Sequence, residues 1–148
     1  MTGREGRGGG SWGRARAVAA GAAVLTVLAG LGVRALLDGD LAKYAGDALY
    51  TVLICALVAV VAPGARPAVV AGTGLAVSWA VELLQLTGVP AGLSRHSTVA
   101  RLVLGSTFNA PDLLWYAVGA GCAWAVAARW HRARRWPDPC EGCPSGHS

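Results

Sequence analysis

Charged residues are scarce in this chain, at 14% of 148 positions, where a soluble domain of similar size carries about a quarter. That shortage excludes an ordinary water-soluble globule, because too little polar surface is available to cover a core of this composition. Two motifs that mark common enzymes are missing as well. No HExxH pair and no GxxxxGK[ST] phosphate loop occurs, so the zinc-hydrolase and P-loop nucleotide-binding classes have no signature here. A second cysteine pair is also missing. Cys140-Glu141-Gly142-Cys143 with His147 offers three ligands where a structural zinc site usually takes four, so Cys140, Cys143 and His147 form only a weak metal candidate. No metal or other cofactor is expected. No repeat or second domain is visible.

What the chain has is apolar sequence, 54% of its residues, with a mean hydropathy of +0.47. Ala17 to Val33 is uncharged over 17 residues, Ala48 to Ala65 over 18 and Leu113 to Ala128 over 16, while Pro67 to Ser94 carries Glu82 as its single charge. About 20 mainly apolar residues cross the hydrocarbon layer, within a range of about 17 to 25, so each stretch with its flanks predicts a span. The expected fold is all-α, an integral membrane bundle of four transmembrane helices. The first apolar run exceeds the ~7–15 residues of a signal-peptide core and lacks a clear small-x-small cleavage site, so an uncleaved helix is expected there. The net charge of +5 does not indicate a nucleic-acid partner, because Lys and Arg fall in the gaps between spans.

Residues 1–13, rich in glycine, read as a disordered cytoplasmic tail. Helices are expected over about 14–37, 41–62, 68–87 and 111–129, a transmembrane domain of residues 14–129. Leu37-Asp38-Gly39-Asp40 forms the first turn, with Asp40 as a candidate N-cap, and the Pro63/Pro67 segment forms the second. The longer loop from Gly88 to Ala110 contains Thr98–Leu104, apolar around Arg101 and a candidate short interfacial or re-entrant helix. Asn109, Pro111 and Asp112 mark the start of the fourth helix. Residues 130–148 read as a cytoplasmic tail, basic and then rich in Cys, Pro and Gly. With the N-terminus inside, nine Lys and Arg residues face the cytoplasm and four face outward, which places both termini in the cytoplasm. Trp12, Trp130 and Trp136 then fall at the inner surface, and Tyr44, Tyr50, Trp115 and Tyr116 toward the outer one.

Three spans carry polar residues to a common depth near the outer surface. Glu82 stands roughly 20 Å above the start of the third helix at ~1.5 Å per residue, and Gln85 follows on the same face. The second helix contributes Lys43 and Asp47, and the fourth contributes Asp112 and Tyr116. An ionisable group within the bilayer costs about 2.5–3.5 kcal/mol on insertion scales and needs a partner, for which Arg101, Arg95 and Lys43 are the candidates for Glu82. Plainer roles exist for several members. Asp112 also suits helix capping, Lys43 with Asp47 suits a solvated i,i+4 pair, and Gln85 suits interhelical bonding. Two stripes of small residues, Ala22/Thr26/Gly30 and Ala117/Gly121/Ala125, read as helix-packing faces. Cys55 and Cys122 read as small apolar residues within helices.

The ordered segments Lys43-Tyr44-Ala45-Gly46-Asp47-Ala48-Leu49-Tyr50, Glu82-Leu83-Leu84-Gln85, Arg101 with Leu104-Gly105-Ser106-Thr107-Phe108, and Asp112-Leu113-Leu114-Trp115-Tyr116-Ala117-Val118-Gly119 resemble a family of small bacterial membrane proteins known as domain of unknown function 2809. The resemblance covers roughly residues 15–128. That family is similar in turn to the VanZ-like proteins, which share the glutamate, glutamine, aspartate and following glycine but usually carry asparagine where this chain has Tyr116. The resemblance implies a multi-pass protein of the bacterial plasma membrane, and the VanZ-like proteins are associated with tolerance to glycopeptide antibiotics such as teicoplanin.

Three functional expectations follow. The first is a binding or accessory protein whose outward cluster (Lys43, Asp47, Glu82, Gln85, Arg101, Asp112, Tyr116) engages a lipid headgroup or an amphiphilic cell-envelope precursor, with membrane lipids as further partners. The second is a membrane-embedded enzyme acting on such a lipid, with Glu82 or Asp112 as acid or base. The third is an oligomeric transporter subunit, since four helices make a thin wall around a pathway.

Overall fold

The computed structural model describes residues 9–87 and 109–133, and every regular element in them is helical. Among the described residues four helices occur: α1 (Gly9–Leu36), α2 (Gly39–Val61), α3 (Pro67–Gln85) and α4 (Asp112–Ala133). At ~1.5 Å per residue they run from roughly 28 to 42 Å, comparable to the ~30 Å hydrocarbon layer. By length and composition α2, α3 and the Trp12–Leu36 part of α1 are able to cross a membrane. Long enough but less apolar, α4 draws on alanine, glycine and tryptophan more than on leucine or valine, and includes Asp112, Arg129 and Arg132. The expected Thr98–Leu104 helix lies outside the described residues.

Helix boundaries shift from those expected, and the shifts have local causes. α1 begins at Gly9 instead of Arg14, so residues 9–13 are helical and do not belong to a tail. No proline interrupts this stretch. The Trp12 ring also reaches the α2–α3 connection, about 4.0 Å from where a side chain on Gly64 would begin. Only Leu37 and Asp38 separate α1 from α2, and Gly39 adopts the left-handed φ of +73° that such a sharp reversal requires. Asp38, not Asp40, occupies the N-cap position, and its side chain makes no capping bond. Between α2 and α3 the chain turns at Pro63-Gly64, and Pro67 opens α3, where its missing N–H is harmless. α4 continues past Arg129 to Ala133, taking Trp130, His131 and Arg132 into the helix.

Packing centres on α2, which touches α1, α3 and α4; α3 also touches α4, and α1 touches α2 alone among these elements. The interior is small and polar. Its apolar members are Ala19, Ala23, Cys55, Ala71, Ala120 and Tyr116, while the largest fully buried side chains are Glu82, Thr51 and Ser78. Leu25, Leu31, Leu36, Val61, Leu114 and Val126 instead face outward, each more than 60% exposed. In water this arrangement would waste most of the available hydrophobic stabilisation. Against lipid it is the expected one, because packing and hydrogen bonds, not water expulsion, then hold the helices together. The chain is a membrane-associated helical protein.

The small residues that permit close approach are not those of the expected stripes. A side chain built at Gly30 or Gly121 would meet nothing, and Ala22 and Ala125 are exposed. The close contacts fall at Gly119, whose neighbour is the Ala48 backbone, and at Gly74, which lies against Cys55. A four-residue stripe of small side chains identifies a helix face but not the face that is covered; in α4 the covered one runs through Asp112, Tyr116, Gly119 and Ala120. Gly74→Ala should destabilise the bundle by about 1–3 kcal/mol through overpacking. Because the nearest obstacle is the Cys55 sulfur, adding Cys55→Ala should recover most of the loss, as read by denaturant titration in micelles. Additive losses would remove this explanation.

Candidate functional site

The polar residues of α2, α3 and α4 meet at one end of the bundle. Glu82 sits near the C-terminal end of α3 on its buried face with Gly74 and Ser78, and is 1% exposed. Its Oε1 accepts the Asn109 backbone N–H at 2.7 Å and its Oε2 accepts the Tyr116 hydroxyl at 2.9 Å. The carboxylate therefore binds the chain entering α4 to the first turns of that helix. Lys43, by sequence one candidate partner for Glu82, instead pairs with Asp112. Its Nζ lies 2.8 Å from both Asp112 oxygens, and Asn109 Nδ2 donates to Oδ1 at 2.6 Å. Arg95 and Arg101, the other candidates, lie outside the described residues, as do Cys140, Cys143 and His147.

Asn109 thus replaces simple helix capping with two tasks. Its backbone serves Glu82 and its amide serves Asp112, so one residue couples both carboxylates. Asp112 is more than a capping carboxylate, since it is buried and held by an ammonium from another helix. Aromatic contacts brace the same region. Tyr44 stacks on Trp115 with centroids 5.4 Å apart, and Tyr50 meets Tyr116 at 6.3 Å in a tilted arrangement. Trp79 Nε1 donates to the Leu113 carbonyl at 3.1 Å, fastening α3 to the start of α4.

Asp47 does not pair with Lys43 as a local i,i+4 couple. Its Oδ2 is buried and makes no hydrogen bond among the described residues, and its charged neighbours include Asp112, Lys43, Glu82 and Arg34. Lys43 keeps 43% of its side chain exposed. The site therefore has a closed frame, made by Glu82, Tyr116, Asn109 and Asp112, and an edge where Lys43 is exposed and the Asp47 Oδ2 lies buried behind the surface. Gln85 is partly buried one turn beyond Glu82.

Deeper in the bundle, Thr51 and Ser78 share a 2.9 Å hydrogen bond, and the Ser78 hydroxyl lies 2.9 Å from the Gly74 carbonyl oxygen. This pair and the site role of Asn109 are not among the residues expected from sequence, although a signal for the pair exists: Thr51 follows Asp47 by four residues and Ser78 precedes Glu82 by four, the spacing that puts polar groups on one helix face. Among the described residues no group of three or more His, Cys, Asp or Glu is arranged to hold a metal ion.

No curated protein and no solved structure matches the chain significantly. A family model, described as protein of unknown function (DUF2809), matches residues 36–120, a stretch that holds Lys43, Asp47, Glu82, Asn109, Asp112, Tyr116 and Gly119. With more than half of its length matched, the chain belongs to the DUF2809 family.

Proposed function

We propose that the protein binds the polar head of an amphiphile, a lipid headgroup or cell-envelope precursor, at the edge formed by Lys43 and Asp47. In this reading four helices cross the bacterial plasma membrane with both termini in the cytoplasm, which puts the edge at the outer surface. The observation that carries it is the buried Asp47 oxygen with no hydrogen bond among the described residues, set beside an exposed ammonium. A buried acceptor left without a donor costs about 1–3 kcal/mol, so a headgroup donor that shifts the side chains covering Asp47 is stabilised there. Asp47 suits an ammonium or hydroxyl of the head, and Lys43 suits a phosphate. The surrounding apolar helices suit the tail. The envelope setting also agrees with the resemblance to VanZ-like proteins.

Acid–base catalysis by Glu82 or Asp112 has less support, because donors on the chain already engage both carboxylates. Transport would require polar groups continuing to the other face, yet beyond Thr51 and Ser78 the helices line an apolar groove. The binding proposal is tested by purifying the protein from membranes containing phosphatidylethanolamine and phosphatidylglycerol and counting retained lipids by mass spectrometry. Asp47→Asn should lower retained phosphatidylethanolamine about tenfold, the equivalent of ~1.4 kcal/mol, and leave phosphatidylglycerol unchanged. Unaltered phosphatidylethanolamine would refute the proposed contact.

A further inference from the structure

At the opposite end of the bundle α1 stands away from α4. Both helices pack on α2, but they do not touch each other, and between them lies a groove of about 480 Å³. That volume falls within the ~300–1,000 Å³ of ligand pockets. Its wall is mostly apolar, with Val18 from α1, Cys55 from α2, Val70 from α3 and Val126 from α4, and Trp12, Trp130 and His131 also contribute. The α1 part of the lining extends from Trp12 to Ala22, about 15 Å of helix. A groove of that length and volume accommodates a hydrocarbon chain laid along α1.

Among the described residues, charge at this end is one-sided. Arg14, Arg16, Arg66, Arg129 and Arg132 lie at the start of α1, at the α2–α3 connection and at the end of α4, and no Asp or Glu occurs in residues 9–18, 62–68 or 127–133. An acyl chain in the groove would thus carry its headgroup into a field of guanidinium groups, which favours a phosphate without a compensating amine. We propose that the α1–α4 groove is a binding site for one acyl chain of an anionic phospholipid, whose headgroup lies at the arginine-rich end of the bundle. This site is separate from the Lys43–Asp47 edge in place and in lipid preference.

Cys122 lines the groove and is exposed, whereas Cys55 is 3% exposed, so the reactivity of Cys122 reports occupancy. The experiment uses the full chain with Cys140→Ser and Cys143→Ser in neutral detergent micelles. N-ethylmaleimide labelling is followed by intact mass and peptide mapping. Phosphatidylglycerol at about nine times its apparent Kd should slow Cys122 labelling about tenfold, as single-site occupancy requires. Phosphatidylcholine at the same mole fraction should slow it less than about twofold, and Arg14→Gln/Arg16→Gln/Arg66→Gln should abolish the difference. Ala22→Phe, which fills the groove from an exposed position, should lower the phosphatidylglycerol retained on the purified protein. Equal protection by both lipids, or protection that rises with protein concentration instead of lipid, would overturn the proposal.

Discussion

Replacing Gly119 with alanine should separate α2 from α4 and cost about 3 kcal/mol, the upper end for overpacking by a single group. The added methyl would collide with the Ala48 backbone, which unlike a side chain cannot rotate away. Relief requires the two helices to move apart beside Asp47, and the Lys43–Asp112 ion pair joins the same two helices. The loss should therefore exceed that of Gly74→Ala, where a sulfur atom is the nearest obstacle. Gly121→Ala provides the control. Nothing approaches that position, so the change should be neutral or stabilise by ~0.5–1 kcal/mol through helix propensity. Unfolding titrations of the three variants in mixed micelles test the order, and equal effects at positions 119 and 121 would contradict the observed packing.

The second large effect is expected at Glu82. Glu82→Ala leaves the Asn109 N–H and the Tyr116 hydroxyl without their acceptor in a buried place, at about 1–3 kcal/mol each. A total near 4 kcal/mol is expected. Glu82→Gln should be milder, near 1–2 kcal/mol, because the amide oxygen can still accept from Asn109 while the hydroxyl rotates to accept from the amide nitrogen. Tyr116→Phe should fall between zero and the glutamine variant's loss if the carboxylate recruits water. The ranking alanine, glutamine, phenylalanine is the result to check by the same titrations. A mild alanine variant would show that the carboxylate does not hold α3 to α4.

Much of this architecture is legible in the sequence, for identifiable reasons. Uncharged runs bounded by Arg, Asp and Pro mark roughly where α1 to α4 form, since a charge or proline inside an apolar stretch is costly wherever it falls. The gathering of Lys43, Glu82, Asp112 and Tyr116 at one depth follows from antiparallel connection and helix rise. Pairing is less legible. Lys43 has Asp47 one turn away, yet joins Asp112 across 69 residues, because helix rotation decides which carboxylate an ammonium meets. The packing faces escape for the same reason: Gly121 and Gly119 are equivalent as letters and differ only in the side of α4 on which they lie. Asn109 looks like an ordinary cap until Glu82 occupies the position opposite its N–H.

The outward placement of leucine and valine around a small, polar interior has a thermodynamic corollary. If the helices come apart within the bilayer, hydrocarbon side chains pass from one apolar surrounding to another and little new apolar surface becomes hydrated. The heat-capacity increment of that separation should then lie well below the ~12–15 cal/mol/K per residue of water-soluble domains. A small increment flattens the stability curve, so cooling would weaken this assembly far less than it weakens a protein whose cohesion depends on water.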